Sequence, residues 1–375
     1  MKRILFFFAL TTSAFASEPA PALTPDQLVV IAVSDNPELR FYEQQVAALP
    51  KPLQAKAPEV TQPLAFPSRE AFRRAVLNLD PDLARLYLSE FRFVLASEVR
   101  LKAMEYQAAT EAAATAGDLA GRISALVKMM EERPAAGVES LIERRILEGA
   151  ALPFVRQAAE SSMQAKLLLT ELNGLLGRKT DEPLSVTGSF ELPSETSMQN
   201  PAEPLLLKIR QAEIARGLGG IDAASEVESF ALGGWFTREG LGASESVEGI
   251  TRPAANFGAS IAETRERLTD DAIRKMKRET TQRQAALKAA REVVNAIPPK
   301  LITNLQAASD LAERQYRVGA LGVNLLIEIH REYLDALEAR NNAVIQAWRN
   351  GLDLEFLNLP ASTKPGGKII VNPKP

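Results

Sequence analysis

The chain of 375 residues has no cysteine and a single histidine, His330. The first absence removes disulfides, thiolate catalysis, thiolate metal ligands and any cysteine that could carry a lipid. The second leaves only carboxylates as metal ligands in any number, and adjacent pairs such as Glu131-Glu132 and Asp270-Asp271 diverge on a helix rather than converge. No metal site and no cofactor is therefore expected. Aromatic residues make up only 6 % of the sequence, whereas alanine, the residue that long packed helices prefer, is abundant. An excess of positive charge is also missing. The formal charge of −3 gives nucleic-acid binding no electrostatic support. Beyond the first residues no stretch reaches the roughly 20 uncharged residues of a membrane-crossing helix.

The first residues themselves carry an export pattern. Lys2 and Arg3 precede the apolar run Ile4 to Leu10, and Ala14-Phe15-Ala16 supplies the small-x-small site that signal peptidase accepts. Residues 1–16 are read as a signal peptide and Ser17 as the mature start. Loss of Lys2 and Arg3 takes the formal charge from −3 to −5.

Repetition organises the rest. Gly137-Val138 and Leu141-Ile142-Glu143 return as Gly322-Val323 and Leu326-Ile327-Glu328, offset by 185 residues, while Asn36-Pro37 and Asn200-Pro201 mark the opening of each half. The expected fold is mainly α, with long antiparallel coiled-coil helices in two pseudo-repeats and a small β-hairpin region. Residues 17–179 form the first helical repeat, with a shortened hairpin near 50–66. Residues 180–204, rich in Pro, Ser and Glu, form a linker, 205–359 the second repeat with a hairpin near 229–251, and 360–375 a flexible tail. Within the repeats, Pro37 interrupts the first helix and Pro81 bends the second. Gly117 and Gly121 loosen it, Pro153 kinks the next helix, and Pro298-Pro299 breaks the long helix of the second half. On the last helix Leu326, Ile329, Tyr333, Leu337, Val344, Trp348 and Leu352 recur close to the helical period and are read as its buried face.

The order of these pieces resembles the TolC family of outer-membrane efflux proteins. The pieces that carry the resemblance are Asn36-Pro37-Glu38-Leu39-Arg40, Thr61-Gln62-Pro63-Leu64, Leu175-Leu176-Gly177, Phe257-Gly258-Ala259-Ser260-Ile261-Ala262-Glu263, and Tyr316-Arg317-Val318-Gly319 running on to Leu326. The resemblance implies a homotrimer in the outer membrane, its helices forming a hollow periplasmic cylinder below a β-barrel. Substrates would pass from an inner-membrane efflux pump through a periplasmic adaptor docked at the helical tips. The spacing departs from this pattern in one place. Asn200 to Thr251 spans 51 residues, whereas Asn36 to Thr61 spans 25. After a helix ending near Leu49 only Pro50 to Val60 remain, too few for two membrane-crossing strands of about 9–11 residues each. An alternative reading is a periplasmic helical relative without a complete barrel, acting as an assembly or adaptor-binding protein.

The candidate functional residues are the two tip boxes, Gly137, Val138, Glu139, Ser140 and Leu141 in the first copy and Gly319, Gly322, Val323, Asn324 and Leu325 in the second. The glycines are expected to supply the turns between antiparallel helices, with Leu141 and Leu326 packed beneath as core. Glu139 would place a carboxylate beside the entrance. No catalytic residue is expected. His330 reads as a polar surface position, and Gly217-Leu218-Gly219-Gly220 lacks the Lys-Ser/Thr that completes a phosphate loop.

Overall fold

Ala112, Ala116, Leu119, Ile123 and Leu126 follow one another at intervals of four and three, the seam of a helix that packs along another helix. They lie in the longest element of a computed structural model of the chain. The structure describes residues 22–48, 81–132, 138–188, 192, 204–217 and 261–361. The elements are β1 (Ala22–Leu23), α1 (Pro25–Asp35), α2 (Pro37–Ala48), α3 (Pro81–Glu131), α4 (Val138–Leu175), β2 (Ser185–Val186), α5 (Leu205–Gly217), α6 (Ile261–Ala296), α7 (Pro299–Arg317) and α8 (Val323–Leu357). Both hairpins expected from the sequence, near 50–66 and 229–251, lie outside the described residues, as do the expected signal peptide and nearly all of the expected tail.

α3 and α4 form one antiparallel helical hairpin and α6–α7 with α8 form the other. α3 has 51 residues, about 75 Å at the rise of an α-helix. It runs unbroken through Gly117 and Gly121, and α4 continues as helix through an exposed Pro153. α3 and α8 pack against each other at the centre, with α4 on one flank and α6–α7 on the other. At one end the four meet in a single cluster: Ala116 to Leu126 of α3, Leu147 and Phe154 of α4, Ala312 and Tyr316 of α7, and Val323, Leu326 and Leu334 of α8.

The Pro298-Pro299 break is a true break. Two successive prolines remove two N–H donors; Pro299 starts α7, and the carbonyl of Ile297 accepts from Arg340 Nη1 of α8 at 2.5 Å. The far end is fixed by the first Asn-Pro. Asn36 Nδ2 donates to the carbonyl of Leu175 at 2.9 Å and its Oδ1 accepts from Leu39 N at 2.8 Å, so one buried side chain caps α2 and ties it to the end of α4. Gly177 there has φ +67, and a Cβ on it would lie 2.7 Å from the carbonyl oxygen of Asp35. The 180–204 connector is not featureless: Ser185 and Val186 pair in parallel with Ala22 and Leu23. The start of the tail is likewise held, since Pro360 bridges Pro204 and Leu205 N donates to the carbonyl of Leu359.

Candidate docking tip and helical edges

α7 ends in a turn whose chemistry is legible residue by residue. Gly319 has φ +77; its N–H donates to the carbonyl of Tyr316 and the N–H of Ala320 to that of Gln315, both at 2.9 Å. This pairing around a left-handed glycine is the Schellman close of a helix. Gly322 differs. It is the N-cap of α8 with φ −78 and ψ 151, ordinary extended backbone, and a Cβ on it would have nothing within 4 Å. Of the two glycines, only Gly319 meets a conformational demand for glycine.

The remaining predicted tip residues divide. Gly137 lies outside the described residues, and Val138, Glu139 and Ser140 open α4 as backbone. Leu141 is 53 % exposed, although its counterpart Leu326 is 0 % exposed. Leu141 is therefore not core beneath a turn: α4 at this height sits on the flank of the four-helix unit, whereas α8 sits at the centre. Val323 is buried, Asn324 and Leu325 are exposed, and Val318 is 76 % exposed. The tip thus presents Val318, Gly319, Asn324 and Leu325 outward above a buried Val323 and Leu326.

Below the tip, charge joins the two hairpins. Arg122 of α3 bonds Asp118 at 2.7 Å on its own helix, reaches Asp310 of α7, and lies 3.5 Å from Glu313, which also holds Arg317 at 2.5 Å. Further down, Gln157 of α4 meets Glu338 of α8 at 2.6 Å and Arg349 of α8 meets Glu105 of α3 at 2.9 Å. Burial raises the Glu338 carboxyl above the ordinary range, against the opposing pull of the Gln157 amide. These partners lie from 181 to 244 residues apart in the chain, so no local pattern announces them.

His330 is not on the surface. It is 0 % exposed, with Nδ1 2.8 Å from Ser309 Oγ of α7 and Nε2 buried without a hydrogen-bonding partner. Ser309 is itself 1 % exposed. The pair offers neither an accessible hydroxyl nor a carboxylate on the far ring nitrogen, the two features a nucleophile activated by histidine requires. His330 occupies the slot of an apolar seam residue, one turn from both Leu326 and Leu334. Of the expected face Leu326, Leu337, Val344 and Leu352 are buried; His330 and Leu334 join them, while Ile329 and Tyr333 are only partly buried beside it. Among the described residues no cluster of three or more His, Asp or Glu is arranged to hold a metal, and no helix is long and apolar enough to cross a membrane.

The exposed apolar side chains are distributed unevenly. α4 carries Leu141, Ile142, Leu152, Val155, Met163 and Leu167, and the opposite flank carries Val293 of α6 with Leu301 and Leu311 of α7. The central helices contribute only Val94 and Leu325.

No family sequence model matches the chain, and no curated protein does. Solved structures do. The outer-membrane channel OprN is similar at 14 % identity and TM-score 0.57, covering 93 % of this chain and 96 % of that one. The CmeC outer membrane channel of Campylobacter jejuni is similar at 11 % identity and TM-score 0.57, covering 97 % and 95 %. The outer membrane protein VceC of Vibrio cholerae matches at 13 % identity and TM-score 0.56, covering 89 % and 95 %. The chain has a TolC-like fold. The likeness extends over nearly the whole of both chains, so the helices and their order are those of the channels rather than a shared fragment.

Proposed function

We propose that the chain is one protomer of an outer-membrane efflux duct, a homotrimer that conducts substrates from an inner-membrane pump through a periplasmic adaptor. The observation that supports this most is the placement of apolar surface on the two flanks of the four-helix unit. A surface at one flank that fits a different surface at the other is a heterologous contact, and repeated rotation closes such contacts into a ring. In that ring α4 of one copy lies against α6–α7 of the next, and the wall needs no chemistry to do its work. The adaptor would meet the tips, where Gly137 to Leu141 and Gly319, Gly322 to Leu325 lie. Its preference for a dilated form would shift the population of open ducts.

A double cysteine variant tests the ring. The chain has no cysteine of its own, and Leu152 and Leu301 lie about 21 and 24 Å from the tip ends of α4 and α7 at the helical rise. Leu152→Cys with Leu301→Cys and a bismaleimide is expected to give linked dimers and trimers in outer-membrane fractions; monomer alone in membranes would overturn the reading. The short spacing from Asn36 to Thr61 favours a second reading, a periplasmic relative without a complete barrel. Release of the protein by osmotic shock would support it. At the tip, Val318→Asp and Leu325→Asp are expected to lower efflux at unchanged protein abundance, and unchanged drug tolerance would count against adaptor docking there. Gly322→Pro is no test of docking, because φ −78 already suits proline.

A further inference from the structure

α7 is a helix with a joint at either end: the Pro298-Pro299 break above it and the Gly319 turn below it. Its inward face consists of Ser309, Ala312 and Tyr316, all buried. The polar contact at the middle of that face is Ser309 Oγ with Nδ1 of the fully buried His330. A neutral imidazole has one N–H and one lone pair, and only one of the two nitrogens has a partner here. A second proton would put a charge on a ring held between Leu326 and Leu334, with an N–H at both nitrogens and a partner only for the one at Nδ1.

We propose that α7 is a proton-released latch: protonation of His330 places a charge, with its Nε2–H unpaired, in the buried seam that α7 covers, and undocks α7 from α3 and α8, with the Pro298-Pro299 break as the pivot. The groups acting on the ring are Asp118 and Arg122 from α3 and Asp310 and Glu313 from α7. Burial is the largest influence and holds the ring's proton affinity below the ordinary histidine value; Arg122 adds to it, and Glu313, Asp310 and Asp118 oppose it. The docked form therefore binds fewer protons than the released form. Docking is complete above the ordinary histidine value of about 6.5 and weakens as pH falls through it. The latch concerns how α7 packs and stands or falls apart from what the assembly conducts.

His330 is the only histidine of the chain, so full-length protein purified in detergent with a histidine-free tag and labelled in histidine gives one set of imidazole signals. The expected titration midpoint lies below about 6.5; a midpoint at or above it overturns the proposal. Spin labels at Ala125→Cys of α3 and Gln315→Cys of α7, both exposed, report docking directly. The distance between them is expected to be narrow at about pH 8, and longer and broader at about pH 5. It should stay narrow at both in a His330→Leu background. An unchanged distance in the parent protein, or the same change in His330→Leu, overturns the latch, and the titration of the parent decides the matter if the variant does not fold.

Discussion

The two glycines of the second tip turn are expected to answer substitution with opposite signs. Gly319 has φ +77, and a Cβ there would meet nothing within 4 Å. The cost of Gly319→Ala is thus backbone conformation alone. Left-handed backbone costs a residue with a Cβ about 1–2 kcal/mol, and the lower entropy of unfolded alanine returns about 0.4–1 kcal/mol, leaving a net loss of about 1 kcal/mol. Gly319→Asn should lose less, since asparagine tolerates this region. Gly322 caps α8 in extended backbone and its residue makes no side-chain bond to the helix. Gly322→Ser adds a hydroxyl that can accept from a first-turn N–H, worth a few tenths of a kcal/mol. Urea unfolding of the detergent-solubilised protein, followed by circular dichroism at constant m, reads both changes as shifts of midpoint in opposite directions. Equal losses at the two positions would refute the assignment of the left-handed turn to Gly319.

At the other end of the helices, Asn36→Ala removes both the donor to Leu175 and the acceptor of Leu39 N, and a loss of about 1–3 kcal/mol is expected for buried groups left unpaired. Gly177→Ala combines φ +67 with a contact at 2.7 Å to a backbone oxygen, so it should cost more than Gly319→Ala in the same unfolding measurement. Arg122→Ala removes a partly exposed guanidinium shared by three carboxylates; the expected loss is about 1 kcal/mol or less and shrinks as salt is raised. Leu152→Glu, on an exposed apolar flank, should leave helix content unchanged by circular dichroism and shift the protein from oligomer to monomer in size-exclusion chromatography.

What the sequence makes legible is local. Proline and glycine act through their own backbone, so the division at Asn36-Pro37, the break at Pro298-Pro299 and the end of α7 at Gly319 can be read without knowing what lies beside them. The pairing of Ser185-Val186 with Ala22-Leu23 joins segments about 160 residues apart, and the Arg122 cluster joins segments nearly 190 apart. Neither leaves a periodic trace. His330 is missed for a related reason: Ile329 and Tyr333 nearly match the apolar period by themselves. The buried face at that height runs instead through His330 and Leu334, and the hydroxyl of Ser309 partners the histidine there.

α4 poses the remaining question, because it is apolar on more than one side. Leu147, Phe154, Leu168 and Leu172 are buried, while Leu152, Val155, Met163 and Leu167 point to solvent. A single-sided stripe is what a helix on the surface of a self-contained protein presents. A second stripe would be waste, and an aggregation hazard, unless something covers it. Within the sequence the two stripes are indistinguishable, so the helix looks like ordinary core. In the structure the flank of α4 stands opposite the flank of α6–α7 that exposes Val293, Leu301 and Leu311, with the covered seams of α3 and α8 between them. Apolar edges on two sides of one unit are what the proposed ring of copies would cover.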